Sequence, residues 1–287
     1  MFFLAVTAAA AQTLDGVVDI HAHCDPDSTA RSIDGLSLVK LAKEKGFRGL
    51  VLKNHYEPTE AWAFFARRQT PGIEVFGGIA LNLTVGGVNP AAVERMTRVK
   101  GGLGRVVWMP TFDSENQVRT LKENRRFAPV SGGGKLLPEV REVLDLIAKH
   151  NLVLATGHST PSEVLMLVRE ARARGVKQIV VTHGMLAPVS MTAAQMREAG
   201  AAGAFVEFVS NAVVGNSKSF SFKQYAGAMR QVGWQSVILS SDFGQAGNPL
   251  HPDGLEQVFR GLRAEGVTVE QINRIVKENP ARLLGLQ

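Results

Sequence analysis

Eight short apolar runs punctuate the chain, at 17–20, 49–52, 73–79, 105–109, 152–155, 178–181, 204–208 and 236–239, each rich in Val, Ile, Leu or Phe. Neighbouring positions within a run are apolar, whereas a half-exposed strand would alternate, so the runs predict strands buried on both faces of a parallel sheet. Between them the apolar period becomes helical. Leu36, Leu38, Val39, Leu41 and Ala42 form one stripe, Val140, Val143, Leu144 and Ile147 a second, and Val164, Leu165, Leu167, Val168 and Ala171 a third. Thr160-Pro161-Ser162-Glu163 has the form of a capping box with proline at the first helical position, which sets a strand–turn–helix boundary at 157–160. Eight strands with helices after them, one unit per roughly thirty-odd residues, predict an α/β fold, a (β/α)8 TIM barrel, as a single domain over 15–287.

A doubly wound sheet is the main rival. It wants a glycine-rich dinucleotide turn after the first strand, where this chain has His21-Ala22-His23-Cys24-Asp25-Pro26. Ser131-Gly132-Gly133-Gly134-Lys135 is no phosphate loop either, because Leu136 stands where Ser or Thr would hold a magnesium ion. It reads as a flexible turn in the long fourth connection.

Polar residues at the ends of the runs carry the candidate chemistry, since a barrel builds its site at the carboxyl ends of its strands. The first run ends in His21-Ala22-His23, and residues two apart on a strand point the same way, so both imidazoles can meet one ion. The fifth ends at Gly157-His158, the sixth at Thr182-His183-Gly184 and the eighth at Ser240-Ser241-Asp242. Singly, such residues read as structural histidines or a helix cap. Together they make a nitrogen and oxygen donor set suited to a divalent ion, Zn²⁺ first, with Mn²⁺ or Fe²⁺ as alternatives. His55, Tyr56, Asn82, Asp113 and Asn211 follow strands 2, 3, 4 and 7 and are candidate substrate contacts. Glu207 lies inside the seventh run, where a carboxylate needs a partner, as a ligand or as the orienter of one. Trp62, Phe64 and Phe65 fall on a helical stretch and read as core or interface.

Composition narrows the classes further. The chain has 287 residues, 45% hydrophobic and 20% charged, which excludes a disordered or collagen-like polymer. The formal charge of +6 is spread along the chain, with Arg125-Arg126 its densest basic spot in the middle of the chain, so a small molecule and not a nucleic acid is the expected partner. Cys24 is the only cysteine, which rules out an intramolecular disulfide. No apolar stretch reaches the ~18 residues of a membrane span. The run from Phe2 to Ala11 ends in small residues like those at a secretory cleavage site but lacks a basic segment before it. Residues 1–14 therefore stand apart, as a signal remnant favouring export or as an extension of a cytoplasmic protein. Nothing in the string bears on whether copies of the chain assemble.

The order His-x-His after strand 1, His after strands 5 and 6 and Asp after strand 8 resembles the metal-dependent amidohydrolase superfamily, from about Gly16 to the end of the chain. The tail from Glu278 through Asn279, Pro280 and Ala281 to Gly285 is similar to the C-terminal helix of those enzymes. More narrowly, Lys53-Asn54-His55-Tyr56 after Gly49-Leu50-Val51-Leu52, and Val107-Trp108-Met109-Pro110-Thr111, resemble an uncharacterised bacterial family of amidohydrolase-like barrels. The resemblance implies that His21, His23, His158 and His183 hold one or two ions, that Asp242 touches the ion and takes a proton from water, and that a C–O or C–N bond (ester, lactone, amide or amidine) is hydrolysed. The pattern departs at strand 4, which offers no lysine or glutamate to bridge two ions. Lys53 is the substitute candidate: carboxylated, it bridges; as an ammonium, it anchors an anionic substrate or polarises a carbonyl; otherwise it forms a salt bridge in the barrel mouth. Without a bridge, a single-ion site leaves His183 as electrophile or orienter. Rival classes are a PHP-type phosphoesterase, which opens with His-x-His but closes with an Asp-x-His pair that Phe243-Gly244 does not supply, a related lyase, and a metal-binding protein without turnover.

Overall fold

The structure, a computed structural model, describes residues 12–286. The candidate signal run at 2–11 lies outside the described residues. Eight parallel strands form one sheet in sequential order: β1 (Val18–Ala22), β2 (Gly49–Leu52), β3 (Glu74–Ala80), β4 (Gly104–Trp108), β5 (Val153–Ala155), β6 (Gln178–Val181), β7 (Phe205–Val209) and β8 (Val237–Ser240). β8 returns to β1. The Asp242 amide donates to His21 O and the His23 amide to Phe243 O, each at 2.9 Å, just past the strands. This is the (β/α)8 barrel the pattern predicts, with the second and sixth runs matched end to end. Nearly every strand residue is buried, because the side chains pointing inward fill the barrel and those pointing outward pack under helices.

The helices on the outer face include α1 (Gly35–Glu44), α2 (Glu60–Gln69), α3 (Pro90–Thr97), α4 (Glu115–Thr120), α5 (Pro138–Lys149), α6 (Pro161–Ala173), α7 (Ala193–Ala201), α8 (Phe222–Val232) and α9 (His251–Ala264). The three stripes seen in the sequence are the buried faces of α1, α5 and α6, where Leu38, Val143 and Leu167 are fully enclosed. The Thr160 capping box is present with both of its reciprocal bonds. The tail closes with a helix at Asn279–Leu284, ended by Gly285 at φ 68°, and Leu14 packs into the core ahead of β1. No helix is long and apolar enough to cross a membrane among the described residues.

Two local expectations change. The glycine-rich segment is not a loose turn but a small hairpin, in which Ser131–Gly132 pairs antiparallel with Lys135–Leu136. Gly133 and Gly134 take φ of 56° and 74°, the double positive φ that a two-residue hairpin turn of the primed type requires. On α2, Phe64 packs on the core, but Trp62 and Phe65 are 40% and 59% exposed, so two of the three aromatics stay out of the core.

Candidate metal centre and its cavity

The strand ends assemble the site. His21 lies within β1 and His23 just beyond it, and the alternation of the strand aims both at the same point. Asp242 follows β8 with φ 50° and His183 follows β6 with φ 24°, left-handed conformations in which Asp and His are among the more tolerant residues. His158 follows Gly157, whose φ is 62° and where an added Cβ would lie 2.2 Å from Met109 O, so only glycine lets this turn pass under the end of β4.

The five ligand candidates resolve into a triad and a pair. His21, His23 and Asp242, all buried, each offer a donor atom within 4.8 Å of the other two. Asp242 Oδ1 stands 3.2 Å from His21 Nε2 and 3.1 Å from His23 Nε2. Beside them, His158 Nε2 and His183 Nε2 face each other at 3.0 Å. The rings of His21 and His183 are 6.2 Å apart and link the two groups. The sequence leaves one or two ions open for these five residues; the structure brings them to the same end of the barrel as a triad with a pair beside it.

Two side chains set the tautomers. Glu207, buried in β7, accepts from His21 Nδ1 at 3.0 Å, from the His183 amide at 2.9 Å and from Ser240 Oγ at 2.6 Å. A proton held on His21 Nδ1 leaves Nε2 as a lone pair, and that buried nitrogen makes no hydrogen bond. Gln117 on α4 does the same for His158, accepting from Nδ1 at 2.6 Å and turning Nε2 toward His183. A lone pair 3.2 Å from a carboxylate oxygen is repulsive unless a cation lies between them, and ligand atoms about 2.0–2.2 Å from one ion come to about this spacing. The donor set therefore fits a divalent ion.

Burial and charge keep the donors in ligating form. Burial, with the Lys53 charge nearby, holds His23 and His55 well below the ordinary imidazole value; burial and His183 do so for His158, and burial pushes His183 down to about 4. Burial by itself would raise Asp242, yet His21, His183 and Lys53 outweigh it and leave the carboxylate below its usual range. Glu207 is lowered in the same way, with burial overcome by its contacts to His21 and Ser240. Burial pushes Lys53 down to about 8 against the pull of Asp242 and Glu207. Its Nζ makes no hydrogen bond and forms no ion pair among the described residues, so the salt bridge considered from sequence is not its role. Burial pushes the Cys24 thiol up to about 12, which leaves it inert as a nucleophile.

These shifts predict how the metal-free protein responds to pH. His183 and His251 sit at about 4, and His23, His55 and His158 lie well below 6.5, so unfolding between those values takes up protons. Their contribution is full above the unfolded value of 6.5 and is lost as pH falls toward 4. Asp19, pushed up to about 6 by burial, and Glu60, raised for the same reason, act oppositely, but they are two groups against five. The thermal midpoint of chelator-treated protein is expected to drop between about pH 7 and about pH 5. A midpoint flat or rising over that interval would mean that the imidazoles are not buried neutral.

A cavity of about 300 Å³ opens on this cluster, lined by His21, Lys53, His55, His158, His183, Asn211 and Asp242 among others. Of the predicted substrate contacts, His55 and Asn211 line it. His55 is fixed by Thr111 Oγ1 at 2.9 Å from Nδ1 and by Phe112, stacked with ring centroids 3.5 Å apart. Asn82, Asp113 and Tyr56 stand outside the lining. Asn82 is a bracket between loops: its amide donates to His55 O and Thr111 Oγ1 and accepts from the Thr111 and Asp113 amides. Asp113 accepts from the Leu83 amide at 2.8 Å and from Arg125 at 2.5 Å, and the half-buried Tyr56 offers its carbonyl to Thr84. Sequence reasoning missed Gln117, which is three residues into a helix capped by Ser114 and carries no mark in the string.

A model of a family of unknown function, DUF6282, matches residues 16–207. Among curated proteins, none matches the chain in sequence. An amidohydrolase from Pseudomonas aeruginosa superposes with a TM-score of 0.65 at 13% identity, covering 93% of this chain and 95% of that one. A phosphotriesterase homology protein from Escherichia coli, with phosphate in its active site, gives 0.65 at 17% over 93% and 98%. An N-acetyl-D-glucosamine-6-phosphate deacetylase from Mycobacterium smegmatis gives 0.57 at 17% over 95% of this chain and 76% of that one. At these identities the likeness is one of fold.

Proposed function

The chain belongs to DUF6282, a family of unknown function, and on that premise we propose, from its own site, a metal-dependent hydrolase that adds water across a C–O or C–N bond of a small molecule. One observation carries the proposal: two imidazoles and a carboxylate from the ends of the two strands that close the barrel present their donor atoms within 4.8 Å of one another, and two of the three, His21 and Asp242, line a cavity. Two nitrogens and one oxygen favour Zn²⁺, with Mn²⁺ or Fe²⁺ as alternatives, and leave room for water and substrate. Such an ion supplies Lewis acidity, polarising a carbonyl and making water acidic enough to lose a proton near neutral pH.

The chain's own residues do the rest. His21 Nε2, His23 Nε2 and Asp242 Oδ1 hold the first ion, and His158 and His183 are the donors beside it. Glu207 and Gln117 keep the protons of His21 and His158 on Nδ1, away from the reacting centre. Asp242, ionised because its surroundings outweigh its burial, accepts a proton from the attacking water and delivers it to the leaving oxygen or nitrogen. Lys53 Nζ, free of hydrogen bonds in the cavity wall, faces the carbonyl oxygen as negative charge develops there. His55, after β2, and Asn211, after β7, hold the substrate from the cavity wall.

The test is direct. Protein loaded with Zn²⁺ should hydrolyse members of a panel of esters, lactones, amides and phosphoesters, lose that activity to a chelator and regain it with added metal. A metal-loaded protein inert on every class would be a binding protein, and turnover confined to phosphoesters would transfer the reading to the phosphoesterase alternative.

A further inference from the structure

The walls of the cavity above the reacting centre select the substrate, an inference that rests on the hydrolase reading. We infer that the substrate is an uncharged ester or amide with an apolar arm, and that the arm lies on Leu121, Leu186 and Pro188. Leu121 ends α4 and is 56% exposed. Of the three large hydrophobic side chains exposed among the described residues, it alone borders the cavity; Trp62 and Phe65 are on α2. Leu186, Ala187 and Pro188, from the segment after β6, continue the same wall. A leucine left half in water beside a wall of the same character gains about tenfold in affinity or more when a ligand covers it.

The charges point the same way. Lys53 is the only lysine or arginine in the lining, and it sits at the reacting centre. Arg125, the guanidinium of the connection above, is already engaged: Nη1 with Asp113 at 2.5 Å, Nε with Glu123 at 2.6 Å and Nη2 with Phe112 O at 2.7 Å. An anionic arm would need the planar fork that this arginine no longer offers. It would instead be desolvated against leucine and proline without a partner, which is costly. Away from Lys53 and Asp242, the amides Asn211 and Gln245 of the lining are uncharged, and both accept from Asn248 Nδ2 behind them, at 3.2 Å and 2.8 Å. The volume, about 300 Å³, is at the small end of ligand sites and suits a compact molecule.

A matched pair of substrates tests this. Methyl hexanoate and monomethyl adipate share the reacting ester and differ at the far end, methyl against carboxylate. The zinc-loaded protein should favour methyl hexanoate in kcat/KM by about tenfold or more. Leu121→Ala should reduce the preference for methyl hexanoate over methyl acetate severalfold, and Leu121→Lys, at an exposed position, should shift the first ratio toward the adipate ester. Preference for the charged ester, or ratios unmoved in both variants, overturns the inference and leaves the hydrolase standing. If no ester or amide is turned over, the hydrolase reading fails separately. Calorimetric titration with hexanamide and adipamate then still reads the wall: tighter hexanamide binding supports the inference, and tighter adipamate binding overturns it.

Discussion

Asp242→Asn is expected to lower kcat/KM by about 10³-fold, the middle of the range that removing one proton-transfer group costs. Asparagine keeps the shape of the side chain, so the φ of 50° and the amide bond from Asp242 to His21 O can persist. What disappears is the negative oxygen 3.1–3.2 Å from both Nε2 atoms, which serves as proton acceptor and as the one anionic donor of the triad. An amide oxygen is a far weaker base, and neighbouring cations no longer favour an ionised form. Circular dichroism and the thermal midpoint serve as controls for folding. Activity within tenfold of the parent, in folded protein, would place the proton transfer on another group.

Glu207→Gln should weaken zinc binding about 10- to 100-fold, the usual effect of removing the partner that orients a ligating histidine. The carboxylate is 2% exposed and uses both oxygens, for His21 Nδ1 and Ser240 Oγ on one and for the His183 amide on the other. Glutamine has a single acceptor oxygen, so at least one buried donor must face its NH2 group, at a cost of roughly 1–3 kcal/mol in stability. Competition with a chromophoric chelator and thermal unfolding without metal read the two effects apart. An unchanged affinity would show that the position of His21 is set by the strand alone, with no help from Glu207.

The two expectations rest on residues that differ in how visible they are in the string. The barrel is legible because both faces of each strand are buried, which writes eight apolar runs separated by helical stripes. His21 and His23 are legible because a strand alternates with period two, and His158, His183 and Asp242 because a polar residue ending an apolar run stands out. Glu207 is visible as a charge inside a strand, though only coordinates show it holding His21 and His183 at once. Gln117, Asn82 and Asp113 are different. Their roles depend on which loop lies over which, since Asn82 binds groups 27 to 31 residues away and Gln117 reaches across 41, and no local period records such pairings. The division of the ligands into a triad and a pair likewise depends on the spacing of strands around the mouth, which sequence order does not carry.

The most direct test of the metal centre is anomalous scattering at the zinc edge from crystals of zinc-loaded protein. A peak about 2.0–2.2 Å from His21 Nε2, His23 Nε2 and Asp242 Oδ1 is predicted, with any second peak lying at the His158 and His183 pair. A fully loaded crystal with no peak at the triad, or with its zinc held elsewhere on the chain, would contradict the account.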